Sequence, residues 1–370
     1  MKQYTDLNTS PRLLLGPGPS TVHPRVLRAM AHPLVGHLDP QFIALMNEVQ
    51  EMLRAVYQTE NQLTVPVSGT GSAAMEASLC NFIEAGDSVL IGVCGYFGER
   101  LCEIAGRYGA KVRRIDRNPG EVFDISEFEA ELQKEPAKLV ALVHAETSTG
   151  VLQPMDGLAD VVHRYGGLLV MDCVTSLGGV PVLVDAWEVD VAYSCSQKCL
   201  GAPSGLGPIT VSPRAVEVLH ARQTPVANWY LDLSLLARYW GSERTYHHTA
   251  PISMNYALRE ALRMVLEEGL EARFARHRAN AELLWQGLQD LGLELFVPPE
   301  RRLVPLTTVK VPEGVDEAAI RRELLQAYNI EIAGGLGATK GKIWRIGLMG
   351  YSSQPQNVLA FLGALQRLLG

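Results

Sequence analysis

From residue 63 to residue 193, short apolar runs alternate with helical stretches, and nearly every run stops at a small, hydroxylated or charged residue. A short apolar run bounded by turn residues is how a strand buried on both faces reads. Such strands alternating with helices make βαβ units, and these build a doubly wound, mostly parallel sheet. The spacing predicts strands at 63–67, 88–93, 111–115, 139–144, 168–171 and 189–193, with 208–211 returning as an edge strand. Helices are expected at 24–31, 39–57, 73–83, after Phe97 to about Tyr108, at 126–133 and at 156–165. Ser126 with Glu129 reads as a capping box for 126–133. Past residue 255 the pattern changes. Helices at 255–268 and 269–291 lead into strands at 293–297, 306–311, 330–333 and 343–347, with helices at 316–327 and 355–368. This is a smaller α+β unit, and 370 residues suffice for two domains. The expected division is 17–254 and 255–370, with residues 1–16 packing as an arm.

Composition narrows the function. Net charge is −7, from 33 Lys+Arg against 40 Asp+Glu, whereas nucleic-acid binding needs a basic face, so no nucleic-acid partner is expected. No stretch is apolar and long enough to span a membrane, and the opening MKQYTDLNTSPR lacks the apolar core of a signal peptide, so a cytoplasmic location is expected. Six cysteines form no CxxC pair and read as buried free thiols, although Cys195 and Cys199 bracket Lys198. His247 and His248 are adjacent, but sequence neighbours rarely converge on one ion and no Cys or carboxylate partner stands close, so no metal is expected. His37 reads as a loop histidine.

In an open parallel sheet, ligands sit outside the carboxyl ends of the strands. Here those ends carry chemistry. The run 168–171 stops at Asp172, and the next leads through Ser196 and Gln197 to Lys198, 26 positions on. The turn Ser68-Gly69-Thr70-Gly71-Ser72 opens a helix and leaves backbone N–H groups free for an anion such as phosphate. Phe97 follows another strand and suits a planar ring. Thr147 follows a fourth. Arg345 lies inside the apolar strand 343–347, where a guanidinium costs free energy unless paired, either with an internal carboxylate or with a ligand's. One cofactor uses all of these groups. Pyridoxal phosphate (PLP) takes a lysine as Schiff-base partner, a carboxylate at its ring nitrogen and an anion site for its phosphate.

Further motifs join these. Leu15-Gly16-Pro17-Gly18-Pro19, Ser68-Gly69-Thr70-Gly71, Glu146-Thr147-Ser148-Thr149-Gly150-Val151, Asp172, Ser196-Gln197-Lys198, Tyr246-His247-His248-Thr249 and Arg345-Ile346-Gly347 together resemble the alanine–glyoxylate and serine–pyruvate aminotransferases. These are class V enzymes of PLP fold type I, and the resemblance covers the chain from residue 13 to its end. It implies a seven-stranded sheet with a smaller C-terminal domain, and transfer of the amino group of alanine or serine to glyoxylate or pyruvate by a ping-pong Schiff-base mechanism. It assigns catalysis to Lys198 and Asp172. It assigns cofactor contacts to Thr70, Gly71, Ser72, Phe97, Thr147 and Gln197, and substrate contacts to Arg345 and Gly36. It further implies a homodimer with shared active sites, in which Tyr246 and Thr249 reach the partner's phosphate and Gly36 lies on an interface loop. Phe97 stands where animal relatives often have Trp, Thr147 where Ser is frequent, and Ser72 where some have His.

Four other readings compete. A cysteine desulfurase needs a nucleophilic Cys in the small domain, and none follows Cys199. A phosphonate- or phosphoserine-type aminotransferase needs cations for a second anion. A PLP-binding regulator without turnover does not need Lys198, Asp172 and Arg345 together. A nicotinamide enzyme is disfavoured because the 68–72 turn lacks G-x-G-x-x-G.

Overall fold

The computed structural model describes residues 4–370. Its centre is a seven-stranded sheet built from β1 (Leu63–Ser68), β2 (Ser88–Val93), β3 (Lys111–Asp116), β4 (Leu139–Val143), β5 (Leu168–Asp172), β6 (Val191–Tyr193) and β7 (Leu206–Val211). The strand order is β1-β7-β6-β5-β4-β2-β3, parallel except for β7, which runs antiparallel to both neighbours. Successive residues of each strand enter different cores. Val89, Ile91, Val143, Val170 and Tyr193 join one, with Phe42 and Met46 of the helix Pro40–Tyr57. Leu90, Val140, Leu142, Leu169, Met171 and Ala192 join the other. The period of two along the strand thus buries both faces, which is why the runs lack polar alternation.

A second, three-stranded sheet pairs Leu306–Lys310 and Ala333–Gly334 antiparallel with Ile343–Gly347. Its core includes Trp344, Ile346, Leu284, Trp285, Leu324 and Phe361, and it takes in Leu15 from the N-terminal segment. Leu13–Leu14 pairs parallel with Ile330–Glu331, so residues 13–15 are stitched to the C-terminal unit. The helix Ile252–Glu268 buries Leu258, Leu262 and Val265 in the core of the large sheet, whereas Leu270–Asp290 buries Ala281, Leu284 and Leu288 in the smaller one.

Three expectations are corrected. The strand at 206–211 lies inside the sheet, between β1 and β6, not at its edge. Proline is normally kept out of interior strands because it has no N–H. Pro208 is tolerated because β6 is only three residues long, so a single rung is lost, while its carbonyl still accepts from Ser194 N–H (2.8 Å) and Tyr57 hydroxyl (2.9 Å). The helix expected at 126–133 is Ile125–Lys134, and its box is Asp124 with Glu127, not Ser126 with Glu129. Residues 293–297 make one isolated bridge, Leu295 to Val309, rather than a strand. Pro298 and Pro299 follow at once and end the ladder.

Candidate active site

Five chain segments converge beyond the carboxyl ends of β1, β2, β4, β5 and β6. They enclose a cavity of about 150 Å³ lined by Thr70, Gly71, Ser72, Phe97, Arg100, Thr147, Asp172, Gln197 and Lys198 among others. Every strand-end residue singled out above is in that lining.

Lys198 is 9% exposed. Its Nζ donates to the Pro17 carbonyl. Burial pushes its amine below the usual lysine range, and the Arg345 charge adds to the effect. Gly18 is the floor beneath it: a Cβ there would lie 2.6 Å from Lys198 Cδ and Cε, and its φ of +111° disfavours any other residue. The Leu15–Pro19 knot thus has a direct role in shaping the lysine's surroundings.

Asp172 is 2% exposed. Its Oδ1 accepts from Val174 N–H (2.9 Å) and its Oδ2 from the Tyr193 hydroxyl (2.7 Å). Burial raises its carboxyl to about 6; those hydrogen bonds and the Lys198 charge oppose the rise, while the Glu146 charge adds to it. Tyr193 stands opposite Asp172 in the β5–β6 register. The sequence did place both residues at neighbouring strand ends, but nothing in it fixed the register that joins them.

Thr70 is the N-cap of the helix Gly71–Cys80, and its hydroxyl caps nothing, so the free N–H groups of the first turn face the cavity. The turn is tight, since a Cβ on Gly71 would lie 2.9 Å from Cys195 Cβ. Gln197 has a buried side-chain oxygen without a partner. Phe97 is the second residue of the helix Tyr96–Arg107, whose cap comes from elsewhere in the chain. Glu146 Oε2 accepts from Phe97 N–H (3.2 Å) and Gly98 N–H (3.4 Å), and Ser148 Oγ accepts from Tyr96 N–H (2.9 Å). Glu146 and Ser148 act on the site through these contacts, and the sequence reading missed that role. Arg100 was also missed. Its guanidinium stacks on Phe97 (4.9 Å from the ring centroid) and reaches Ser72 Oγ (3.2 Å). Its spacing of three from Phe97 on one helix was the available signal.

Arg345 is 5% exposed. Its Nε donates to the Gly334 carbonyl (2.7 Å) and its Nη1 to the Thr147 carbonyl (3.2 Å). No ion pair to Arg345 exists among the described residues. Burial lowers the guanidinium to about 10, an effect the Glu146 charge partly opposes. The alternative of an internal salt bridge is therefore not met.

Gly36, Tyr246 and Thr249 do not enter this cavity. All three are exposed, with Tyr246 at 57% and its ring 5.2 Å from that of His37. Cys195 and Cys199 are buried and pushed up to about 11 and about 12, mainly by burial, so both remain thiols at neutral pH. No cluster of three metal-ligating side chains exists among the described residues, and no described helix is long and apolar enough to cross a membrane.

A buried amine, a buried carboxylate, a helix N-terminus with free N–H groups and an orphaned amide oxygen share one cavity. This donor set fits a small anionic aldehyde cofactor with a basic ring, and on this doubly wound sheet it defines a PLP-dependent enzyme of fold type I. The family model for class-V aminotransferases matches residues 14–358, and the chain belongs to that family. A solved alanine–glyoxylate aminotransferase from Nostoc sp. is 56% identical, covers 100% of this chain and 98% of its own, and superposes with a TM-score of 0.99. The (S)-ureidoglycine–glyoxylate transaminase of Bacillus subtilis is 43% identical over 100% of this chain and 93% of its own. The alanine–glyoxylate aminotransferase of Mus musculus is 43% identical over 98% and 89%. The chain is a PLP-dependent aminotransferase.

Proposed function

We propose that this enzyme moves the amino group of alanine, or of serine, to glyoxylate, or to pyruvate. The observation that carries a 2-oxo acid and amino acid pair is Arg345: a buried guanidinium that forms no ion pair among the described residues and is bonded to the carbonyl of Thr147. Its fork matches a substrate carboxylate.

Bound here, pyridoxal phosphate supplies an aldehyde that exchanges amino groups and a ring that withdraws electrons. Residues 70–72 and Gln197 would hold its phosphate, Phe97 one face of its ring, Thr147 the ring edge, and Asp172 the ring nitrogen. Asp172 holds a negative charge ready for a cationic nitrogen, and the Tyr193 hydroxyl and Val174 N–H fix its two oxygens in place. Lys198 carries the proton. Its amine is desolvated, so a larger fraction is neutral at working pH than for a surface lysine, and Nζ accepts a proton from one carbon and returns it to another.

The reading extends to the assembly. Tyr246 and Thr249 would serve the phosphate of a second copy of the chain, and Gly36 its substrate, which accounts for their exposure on this one. We infer a division into a large domain and a smaller C-terminal one, with the boundary nearer Gly269 than Met254, because the helix Ile252–Glu268 packs in the large-sheet core. A cytoplasmic enzyme accords with the composition.

The relatives share glyoxylate as acceptor and differ in donor, alanine in the mouse enzyme and (S)-ureidoglycine in that of B. subtilis, at equal identity. A panel of alanine, serine, (S)-ureidoglycine and 2-aminoethylphosphonate against glyoxylate and pyruvate separates them. Highest kcat/KM for alanine with glyoxylate is expected, and a preference for ureidoglycine or the phosphonate rejects this donor. In the same assay Arg345→Ala should raise KM for donor and acceptor on the order of 100-fold with cofactor absorbance kept, as expected for loss of a charge-assisted pair. Unchanged KM values dismiss the carboxylate role.

A further inference from the structure

The histidine pair that metal chemistry does not use forms a hydrogen-bonded chain. Ser68 Oγ lies 2.6 Å from His248 Nε2, His248 Nδ1 lies 2.8 Å from His247 Nδ1, and His247 Nε2 lies 3.2 Å from the Trp229 carbonyl. Both rings are buried, at 5% and 9% exposure. They are clamped by aromatic neighbours: Trp229 stacks on His247 at 4.5 Å, and Tyr230 and Tyr239 pack against His248 at 5.1 and 5.7 Å.

With both rings neutral, donor–acceptor logic fixes every proton in this chain. A carbonyl only accepts, so His247 Nε2 carries a hydrogen. In a neutral ring its Nδ1 is then bare and accepts, which requires the hydrogen of His248 on Nδ1. His248 Nε2 is in turn bare, and the Ser68 hydroxyl donates to it. The two histidines hold opposite tautomers, and all three hydrogen bonds run in one direction, from Ser68 to Trp229. Burial, with His247 and His37 nearby, holds His248 down at about 4, in keeping with a neutral ring.

Ser68 is the last residue of β1, immediately before the turn Gly69-Thr70-Gly71-Ser72. That turn has no slack: a Cβ on Gly69 would lie 2.6 Å from Ala73 Cβ, and Gly69 N–H is bonded to the Gly205 carbonyl (3.0 Å). The middle of the chain, His247 and His248, lies in the segment between Tyr246 and Thr249, and its far end is the Trp229 carbonyl.

We propose that His248 and His247 are positioning residues: a tautomer-locked relay that anchors Ser68, and through it the phosphate-binding turn, to the exposed segment carrying Tyr246 and Thr249. The proposal rests on the reading that residues 70–72 hold the cofactor phosphate. It adds that the turn of one chain is held by the same segment that is offered to the partner. Neither histidine lines the cavity; both act through Ser68.

The test compares two probes, pyridoxal phosphate and pyridoxal, which differ only in the phosphate. Wild-type protein should bind the phosphorylated form more tightly. Ser68→Ala and His248→Phe, the latter keeping the ring's packing, should each weaken pyridoxal phosphate binding about tenfold, as one lost buried hydrogen bond does, and leave pyridoxal unaffected. The double variant should lose no more than either single one, because both cut the same chain. Nitrogen-15 spectra of the histidine side chains should show His247 protonated on Nε2 and His248 on Nδ1 at pH 7. Equal losses for both probes, unchanged affinity in Ser68→Ala, or the same tautomer for both rings overturns the relay. Equal wild-type affinity for the two probes removes the phosphate reading itself, an outcome separate from the tautomer pattern.

Discussion

Asp172 is kept for its chemistry against its own stability. Its carboxyl is buried at the end of β5 and raised from an ordinary 3.8 to about 6. The sign follows from linkage. In the unfolded chain the carboxyl ionises above 3.8, while the folded, cofactor-free chain resists ionisation until about 6. Below 3.8 both forms are protonated and nothing is lost; between the two values the folded state is progressively penalised, by on the order of 3 kcal/mol above pH 6. Asp172→Asn should therefore raise the Tm of cofactor-free protein at pH 8, with the gain shrinking below pH 6 and gone near pH 4. The same substitution should lower activity by orders of magnitude, because a neutral amide gives a cationic ring nitrogen no counter-charge. Calorimetry across pH checks the first part; a Tm gain that does not depend on pH would show that packing, not ionisation, is responsible.

At the scale of elements, the helix Tyr96–Arg107 depends on a residue nearly fifty positions away. Gly95, its N-cap, has no side chain to offer, and a Cβ there would lie 2.5 Å from Glu146 Cδ. The Glu146 carboxylate fills that space and takes the N–H groups of Phe97, Gly98 and Ser148, with the helix dipole favouring its charge. Glu146→Ala should destabilise the fold by on the order of 2–4 kcal/mol, leaving several buried N–H groups unpaired. Glu146→Gln, which keeps an acceptor, should cost less than half of that. Denaturant unfolding of the pair decides it: equal losses would make the site one of volume rather than of hydrogen bonding. This cap is also where the sequence stops being readable. Strand ends such as Asp172, Thr147 and Phe97 are visible because buried apolar runs must stop and each stop is local. The Asp124–Glu127 box was displaced by two positions because the segment Asp124–Glu129 contains two overlapping patterns, and only Phe128 packing inward chooses between them. Tyr193 against Asp172, Glu146 beneath Phe97 and Gly18 beneath Lys198 depend on register and on contacts across the chain, which no window of residues records. The place of β7 inside the sheet was hidden for the same reason: Pro208 argued locally for an edge, and a short neighbouring strand made the interior affordable.

At the scale of the whole molecule, exposed residues divide from buried ones in a way that one chain does not explain. Tyr246 is joined on the surface by Trp229 at 62% exposure, Leu34 at 67% and Leu38 at 43%, and Gly36 has no atom within 4 Å of where a Cβ would be. Exposed large apolar side chains are what an interface covers, and a second copy related by twofold symmetry is the partner the proposed function requires. If Tyr246 and Thr249 serve the other chain's phosphate, two defective chains should repair each other. A Lys198→Ala chain lacks its lysine, and a Tyr246→Ala/Thr249→Ala chain lacks the reach across the interface. In a mixed dimer, the cavity built on the second chain has its own Lys198 and receives intact Tyr246 and Thr249 from the first. Random pairing makes half the dimers mixed, each with one complete site of two, so activity should rise to roughly a quarter of wild type from two nearly inactive parents. If those residues served their own chain, the mixed dimer would contain no complete site, and activity would stay at the average of the parents.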